Sequence, residues 1–396
     1  MNPVFDDKID ITEQLPARVK AVKPFLAMEI MQKAQQMEAD GVDVIRMEVG
    51  EPGGETPSAI KNAVIEAVQN NDTGYTHSLG KPKLREEIVK YYKRTYNVDL
   101  EPEQVLVASG SSPAMLLAFS ALLESGDRLI VSDPYYACYP NFVRYLGAEP
   151  LLVPVKEEDA FKLRASDVKK YLTDQVKGVL INSPANPTGA VLGERELEEF
   201  ADLDTYIISD EIYHGINYIG RDRSILEFTD KSIVINGFSK RNIMTGWRLG
   251  YMIGPRELVN SIQKLQQNLF ICACAFVQAA GIAALQESTD ILEKRFSGYN
   301  ERRLYLYDFL KKIGIAPAKP PDGAFYMLAN VKKYTSDSLS FAHRILEETK
   351  VAVTPGIDFG PGAEGYIRIS YACSMETLKE GLTRLEKFFA DLDSSQ

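Results

Sequence analysis

From residue 105 onward the chain alternates short β-rich apolar runs with amphipathic helical stretches, and this alternation limits the possible folds most. Strand-length runs lie at 105–108, 128–132, 149–153, 178–182, 206–209 and 232–236, with another at 249–253. Helical patterns at 113–124, 138–146, 166–172 and 194–202 fall between several of them, and Ser111 and Ser112 look like caps for the first. A helix that carries the chain back between strands makes those strands parallel. The pattern therefore predicts an α/β fold with a mostly parallel sheet covered on both faces. Upstream, 26–38, 58–69 and 82–95 read as helices and 44–49 as a short strand. Downstream, 256–268, 274–288 and 290–312 are helical. The remainder reads as a smaller α+β unit, with strands near 324–328 and 366–370 and helices near 338–349 and 375–392.

Composition removes several classes of function. A chain of 396 residues with 45% apolar content and 25% charge is an ordinary globular protein. Its net charge of −10 disfavours general nucleic-acid binding. No run of 18 apolar residues occurs, and the polar start of the chain lacks a signal-peptide core, so no membrane role is expected. The four cysteines form neither a Cys-x-x-Cys pair nor a His/Cys cluster. They read as buried, reduced thiols of a cytoplasmic protein, with no metal site.

In α/β sheets chemistry gathers beyond the carboxyl ends of the strands. Ser109-Gly110-Ser111-Ser112 follows one strand and opens a helix, a place suited to an anion. Two X-Pro units in 182–189 suggest a rigid turn whose prolyl bonds could be cis. Asp210-Glu211-Ile212-Tyr213 and Ser239-Lys240 follow two further strands, and Arg248 precedes a third. Lysine, arginine, aspartate and tyrosine together at apolar strand ends suggest a site for an anion and a heterocycle. The stretch from Gly74 to Lys81 only superficially resembles a nucleotide-binding loop: five residues separate its glycines and Pro82 replaces the Ser/Thr.

The segment 237–251, GFSKRNIMTGWRLGY, resembles the lysine motif of class I/II pyridoxal-phosphate-dependent aminotransferases of fold type I. The likeness runs in order from Gly50-Glu51-Pro52 through Tyr75, Asn186-Pro187-Thr188-Gly189 and Asp210-Glu211-Ile212-Tyr213 to Tyr366-Ile367-Arg368-Ile369-Ser370. It implies a seven-stranded, mostly parallel sheet in a large domain (50–290), a small C-terminal domain (291–396), and an N-terminal segment (1–49) packing with the latter. It implies pyridoxal 5'-phosphate on Lys240 as an imine, with the freed amine shuttling the substrate Cα proton. By the same resemblance Asp210 faces the ring nitrogen, and Tyr213 and Asn186 face the ring's phenolic oxygen. Tyr136 stacks on the ring, and Ser111, Ser112, Ser239 and Arg248 take the phosphate. Tyr75 reaches the phosphate of a neighbouring subunit, which implies a homodimer. Arg368 and Gly50, with Asn186, receive the substrate carboxylate.

Four departures from the family pattern stand out, and the last two bear on the substrate. Gly237 stands where many relatives carry a phosphate-binding serine, and Tyr136 where a tryptophan is common. Ser112 occupies a position that carries lysine in aspartate-using members, and Phe25-Leu26-Ala27 is apolar where relatives can be polar. The expected activity is ping-pong transfer from a neutral or apolar L-amino acid, rather than aspartate, to a 2-oxo acid such as 2-oxoglutarate or pyruvate. The alternative on the same scaffold is β-elimination from cysteine conjugates. A PLP-sensing transcription regulator is disfavoured, because no basic recognition helix precedes Gly50.

Overall fold

The computed structural model describes residues 14–287 and 289–394; the start of the chain, on which the leader expectation rests, lies outside them. Among the described residues twelve strands form three sheets. In chain order they are β1 (Ile45–Arg46), β2 (Val105–Ala108), β3 (Arg128–Asp133), β4 (Glu149–Pro154), β5 (Val176–Asn182) and β6 (Tyr206–Asp210). They continue with β7 (Ser232–Gly237), β8 (Gly250–Ile253), β9 (Tyr326–Asn330), β10 (Val351–Ala352), β11 (Thr354–Pro355) and β12 (Tyr366–Ser370).

The large sheet has seven strands in the order β2-β8-β7-β6-β5-β3-β4. All its pairings are parallel except those of β8, which runs antiparallel to both β2 and β7. β2, β3, β5, β6 and β7 thus point their carboxyl ends the same way, and β8 presents its amino end there. Apolar clusters line both faces. Val179, Ile181, Ile207 and Val234 pack on one side, and Leu180, Ile208, Ile233 and Ile235 on the other. This is the period-two alternation expected of strands covered on both faces.

A third cluster joins Ile30, Ala34 and Ile45 with Leu306, Leu346, Leu382 and Phe388. The helix Leu26–Ala39 and β1, which pairs in parallel with β10, therefore share a core with the C-terminal third. β9, β11 and β12 form a separate antiparallel sheet within it.

Three sequence expectations need correction. Ser111 and Ser112 are not caps: the helix Ser111–Leu122 begins with them, and Gly110 occupies the cap position at a φ of 111°, which glycine adopts without strain. The strand expected at 44–49 shrinks to Ile45–Arg46, because only two pairs form with the equally short β10. The cysteines are free but not buried; Cys274 is exposed at the surface turn before the helix Ala275–Leu285, and the other three are half-buried. The prolyl bonds at Ser183-Pro184 and Asn186-Pro187 are both cis, as is Asp133-Pro134. Among the described residues no helix is long and apolar enough to cross a membrane, and no His/Cys/Asp/Glu cluster could hold a metal.

Candidate active site

The aligned strand ends surround one cavity. β6 delivers Asp210 and, one turn on, Tyr213; β5 delivers Asn182 and Asn186; the turn after β7 delivers Ser239 and Lys240. Arg248 comes from just before β8, Ser111 and Ser112 from the first turn of the helix after β2, and Tyr136 from the loop after β3. Gly50 and Arg368, far away in sequence, close the other side. Every site residue expected from the sequence lines this cavity except Tyr75, which is 86% exposed on this chain's surface.

Lys240 Nζ donates to Gly50 O at 2.8 Å. Burial, then the Arg368 guanidinium and with it Arg248, lowers the amine's pKa from 10.5 to about 8, against the pull of Glu51 and Asp210. A useful fraction of this lysine is therefore a neutral nucleophile near neutral pH. Asp210 is buried, and burial raises its pKa despite bonds from Tyr139 Oη (2.6 Å) and Ile212 N (3.1 Å). A carboxylate in that position gains from a cationic partner placed beside it.

An anion cradle lies at the end of the helix Ser111–Leu122. The first-turn N–H groups have no partner within the helix, and the dipole there is positive. Two glycines let Arg248 and the helix close around this point. A side-chain carbon on Gly110 would stand 2.6 Å from an Arg248 nitrogen, and one on Gly250 would stand 2.5 Å from Ser111 N. Arg248 itself has a φ of 54° and is braced by Thr245 O at 2.9 Å. Gly237 does not line the cavity. It faces Gly250 across the β7–β8 pair, where a side-chain carbon would meet that residue's Cα at 3.0 Å.

Arg368, 3% exposed, sits between the rings of Tyr326 (4.3 Å) and Phe359 (4.7 Å). Its Nη1 donates to Asn186 Oδ1 at 2.8 Å, and its Nη2 to Glu48 O and to Thr354 Oγ1 at 3.1 Å. Nε is buried with no partner. With its Oδ1 engaged by Arg368, Asn186 has its amide N–H groups left to offer the cavity.

The remaining wall is apolar. Phe25, Ala27 and Met28 enter from the start of the helix Leu26–Ala39, joined by Met115 and Phe142. Phe25 has no capping side chain to offer; Asp358 caps this helix from a distance, accepting from Leu26 N (2.9 Å) and Ala27 N (3.1 Å). Phe25 also meets the Tyr136 ring edge-on at 6.1 Å. The cations among the described lining residues are Lys240, Arg248 and Arg368.

Sequence reasoning missed Tyr139, Asn182, Tyr326 and Thr354. Tyr139 follows Tyr136 by three residues at a helix start, a spacing that places both on one side and could have flagged it. Asn182 Oδ1 accepts from Asn186 N at 2.8 Å and its amide donates to Asp210 O at 2.9 Å, so it fixes two neighbours. Tyr326 and Thr354 carry no local signal; only the fold brings them here.

The chain is similar to known proteins over most of its length. The family described as aminotransferase class I and II matches residues 42–385. A Methanocaldococcus jannaschii protein named (5-formylfuran-3-yl)methyl phosphate transaminase is 40% identical, over 94% of this chain and 99% of its own. The Pyrococcus horikoshii aspartate aminotransferase is 37% identical, over 93% and 96%. The solved aspartate aminotransferase of Thermus thermophilus with maleate superposes with a TM-score of 0.90 at 34% identity, covering 94% of this chain and 99% of that one. This chain belongs to the class I and II aminotransferases and is an enzyme that moves an amino group between an amino acid and a 2-oxo acid.

Proposed function

We propose that the cavity binds pyridoxal 5'-phosphate on Lys240 and that the enzyme takes its amino group from a neutral or apolar L-amino acid, passing it to an acceptor such as 2-oxoglutarate or pyruvate. One observation carries the reading: a buried amine of depressed pKa, a buried carboxylate suited to a cation and an anion cradle converge on a single cavity. The residues fit the group. Arg248, Ser239 and the N–H groups of Ser111 and Ser112 would hold the phosphate. Asp210, kept in place by Tyr139 and Ile212 N, would hold a proton on the ring nitrogen. Tyr213 and Asn186 would donate to the ring's phenolic oxygen, and Tyr136 would cover the ring face. When bound, the cofactor supplies an aldehyde for the lysine and an electron-poor ring that accepts the electron pair left by a departing Cα proton.

The protein's part is positioning and proton movement. Arg368 and Gly50 orient the substrate carboxylate, which sets the Cα–H toward Lys240. Neutral Nζ would remove the Cα proton and redeliver it, general acid–base work that suits an amine titrating near 8. The neutral donor follows from the apolar wall at Phe25, Ala27 and Met28 and from Ser112, which has no charge for a distal carboxylate.

The same reading divides the chain into a cofactor-binding unit (50–290) and a small unit (291–396), with residues 1–49 packed on the latter. It also makes the enzyme a cytoplasmic homodimer. Exposed Tyr75 supports the dimer: beside it Thr76 N meets Cys272 Sγ, and Ile271 and Leu269 are exposed too, an apolar patch suited to a second copy.

Holoprotein reduced with borohydride and mapped by mass spectrometry should carry the label on Lys240, and a donor panel should rank alanine or larger apolar amino acids above aspartate. Label elsewhere sinks the cofactor reading, and aspartate as the best donor sinks the substrate reading. Pyruvate and ammonia formed without an added oxo acid would indicate β-elimination instead.

A further inference from the structure

The Tyr326 hydroxyl lies in the cavity wall between Tyr213 and Gly50. Tyr326 opens β9, is buried, and pairs with Ser370 on β12, two residues beyond Arg368. Its Oη is 2.8 Å from Tyr213 Oη. Its ring forms one side of the sandwich around Arg368. A side-chain carbon on Gly50 would land on its hydroxyl, so Gly50 is bare because Tyr326 fills that space. The Gly50 carbonyl in turn receives Lys240 Nζ.

Each phenol has one proton to give. If Tyr213 gives its proton to the cofactor's ring oxygen, the short contact between the two tyrosines needs Tyr326 as its donor. We infer that Tyr326 is a positioning residue: its O–H donates to Tyr213 Oη and turns the Tyr213 proton toward the cofactor, while its ring face holds Arg368 for the substrate carboxylate. The inference rests on the cofactor reading above. Donation into Tyr213 polarises that phenol and strengthens its own bond to the ring oxygen. The ring oxygen accepts best when it does not also share a proton with the lysine linkage, so this chain of bonds favours the unprotonated linkage.

The test is the visible-absorbance pH titration of the reconstituted holoenzyme. Tyr326→Phe keeps the ring beside Arg368 and removes only the hydroxyl. Its titration midpoint should rise by about half a pH unit, with kcat falling several-fold and KM for the donor nearly unchanged. Tyr213→Phe should shift the midpoint further, and the double variant should titrate like Tyr213→Phe alone, because the outer hydroxyl then has nothing to act through. A Tyr326→Phe midpoint equal to wild type, or shifts that add in the double variant, overturns the inference. So does a Tyr326→Phe protein that fails to fold, since the hydroxyl would then belong to the core. Wild-type protein with no linkage on Lys240 is a different result and defeats the cofactor reading itself.

Discussion

The two ends of the cavity are built from different materials. Around Asp210, Lys240 and Arg248 the walls are strand ends of a sheet buried on both faces, and Asp210, Lys240, Asn182 and Arg248 each have a hydrogen-bond partner that fixes them. Around Phe25, Ala27 and Met28 the wall is the first turn of a helix belonging to another core, held at its start by Asp358. Met28 there is 38% exposed. The polar end has little freedom to vary, as proton transfer requires reacting atoms held within a few tenths of an ångström. The apolar end tolerates exchange of side chains, which is where relatives with one chemistry and different substrates can differ.

That contrast fixes the order of expected effects. Lys240→Ala removes the nucleophile and proton carrier together and should lower turnover by roughly 10⁴-fold or more for every donor. The visible absorbance of the holoenzyme should vanish with it. A variant that kept its absorbance would show that the polar end does not work through this amine.

Arg368→Ala comes next. A buried cation bridging Asn186, Thr354 and Glu48 is lost along with the carboxylate contact, so kcat/KM should fall by about 10²–10³-fold for all donors alike, with cofactor retained. It has a second readout. Arg368 is, after burial, the largest cause of the low Lys240 pKa, so removing it should raise that pKa. Cofactor attachment needs the neutral amine, which is present above the pKa. The rate of attachment to the apoenzyme should therefore rise with pH through a midpoint near 8 in the wild type, and through a higher midpoint in Arg368→Ala. Identical profiles would show that the Arg368 charge does not act on the Lys240 amine.

Legibility in the sequence followed the same division. Lys240, Asp210 and Arg248 could be found because each directly follows or precedes an apolar strand, where a charged residue has few bland explanations. Ser111 and Ser112 stand at the helix start that the sequence points to, but not as its caps: serine before an apolar helix looks like a cap until Gly110 is seen holding that position at positive φ. Tyr326 and Thr354 were invisible. Their neighbours in sequence are ordinary β residues, and their partners lie more than a hundred residues away, at Tyr213 and Glu48. β10 and β11 escaped because two residues carry no periodicity. Phe25 stood out only as an apolar residue in a place where polarity was possible; its contact with Tyr136 needed the fold.

Ser112→Lys probes the border between the ends. It adds a cation facing the cavity from the first helical turn and should raise kcat/KM for aspartate relative to alanine by about tenfold, the scale of one charge-assisted contact. The same cation sits at the positive end of a helix and beside Arg248, so part of the gain is lost to repulsion and thermal stability should fall slightly. Unchanged aspartate use with intact absorbance would show that selectivity is set elsewhere than at this position.

The smallest effect belongs to Met28→Ala. Met28 reaches the cavity from the first turn of Leu26–Ala39 and contributes a flexible, partly exposed apolar surface. Truncation removes contact with a large donor side chain but nothing that alanine as donor could touch. kcat/KM for a large apolar donor should fall about threefold, close to what one buried methylene contributes, while the value for alanine stays level and the absorbance titration does not move. Measuring both donors on the same preparation makes the ratio independent of cofactor loading. An equal loss for both would place Met28 in the support of the polar end, and the distinction between a fixed chemical end and an exchangeable binding end would fail at that residue.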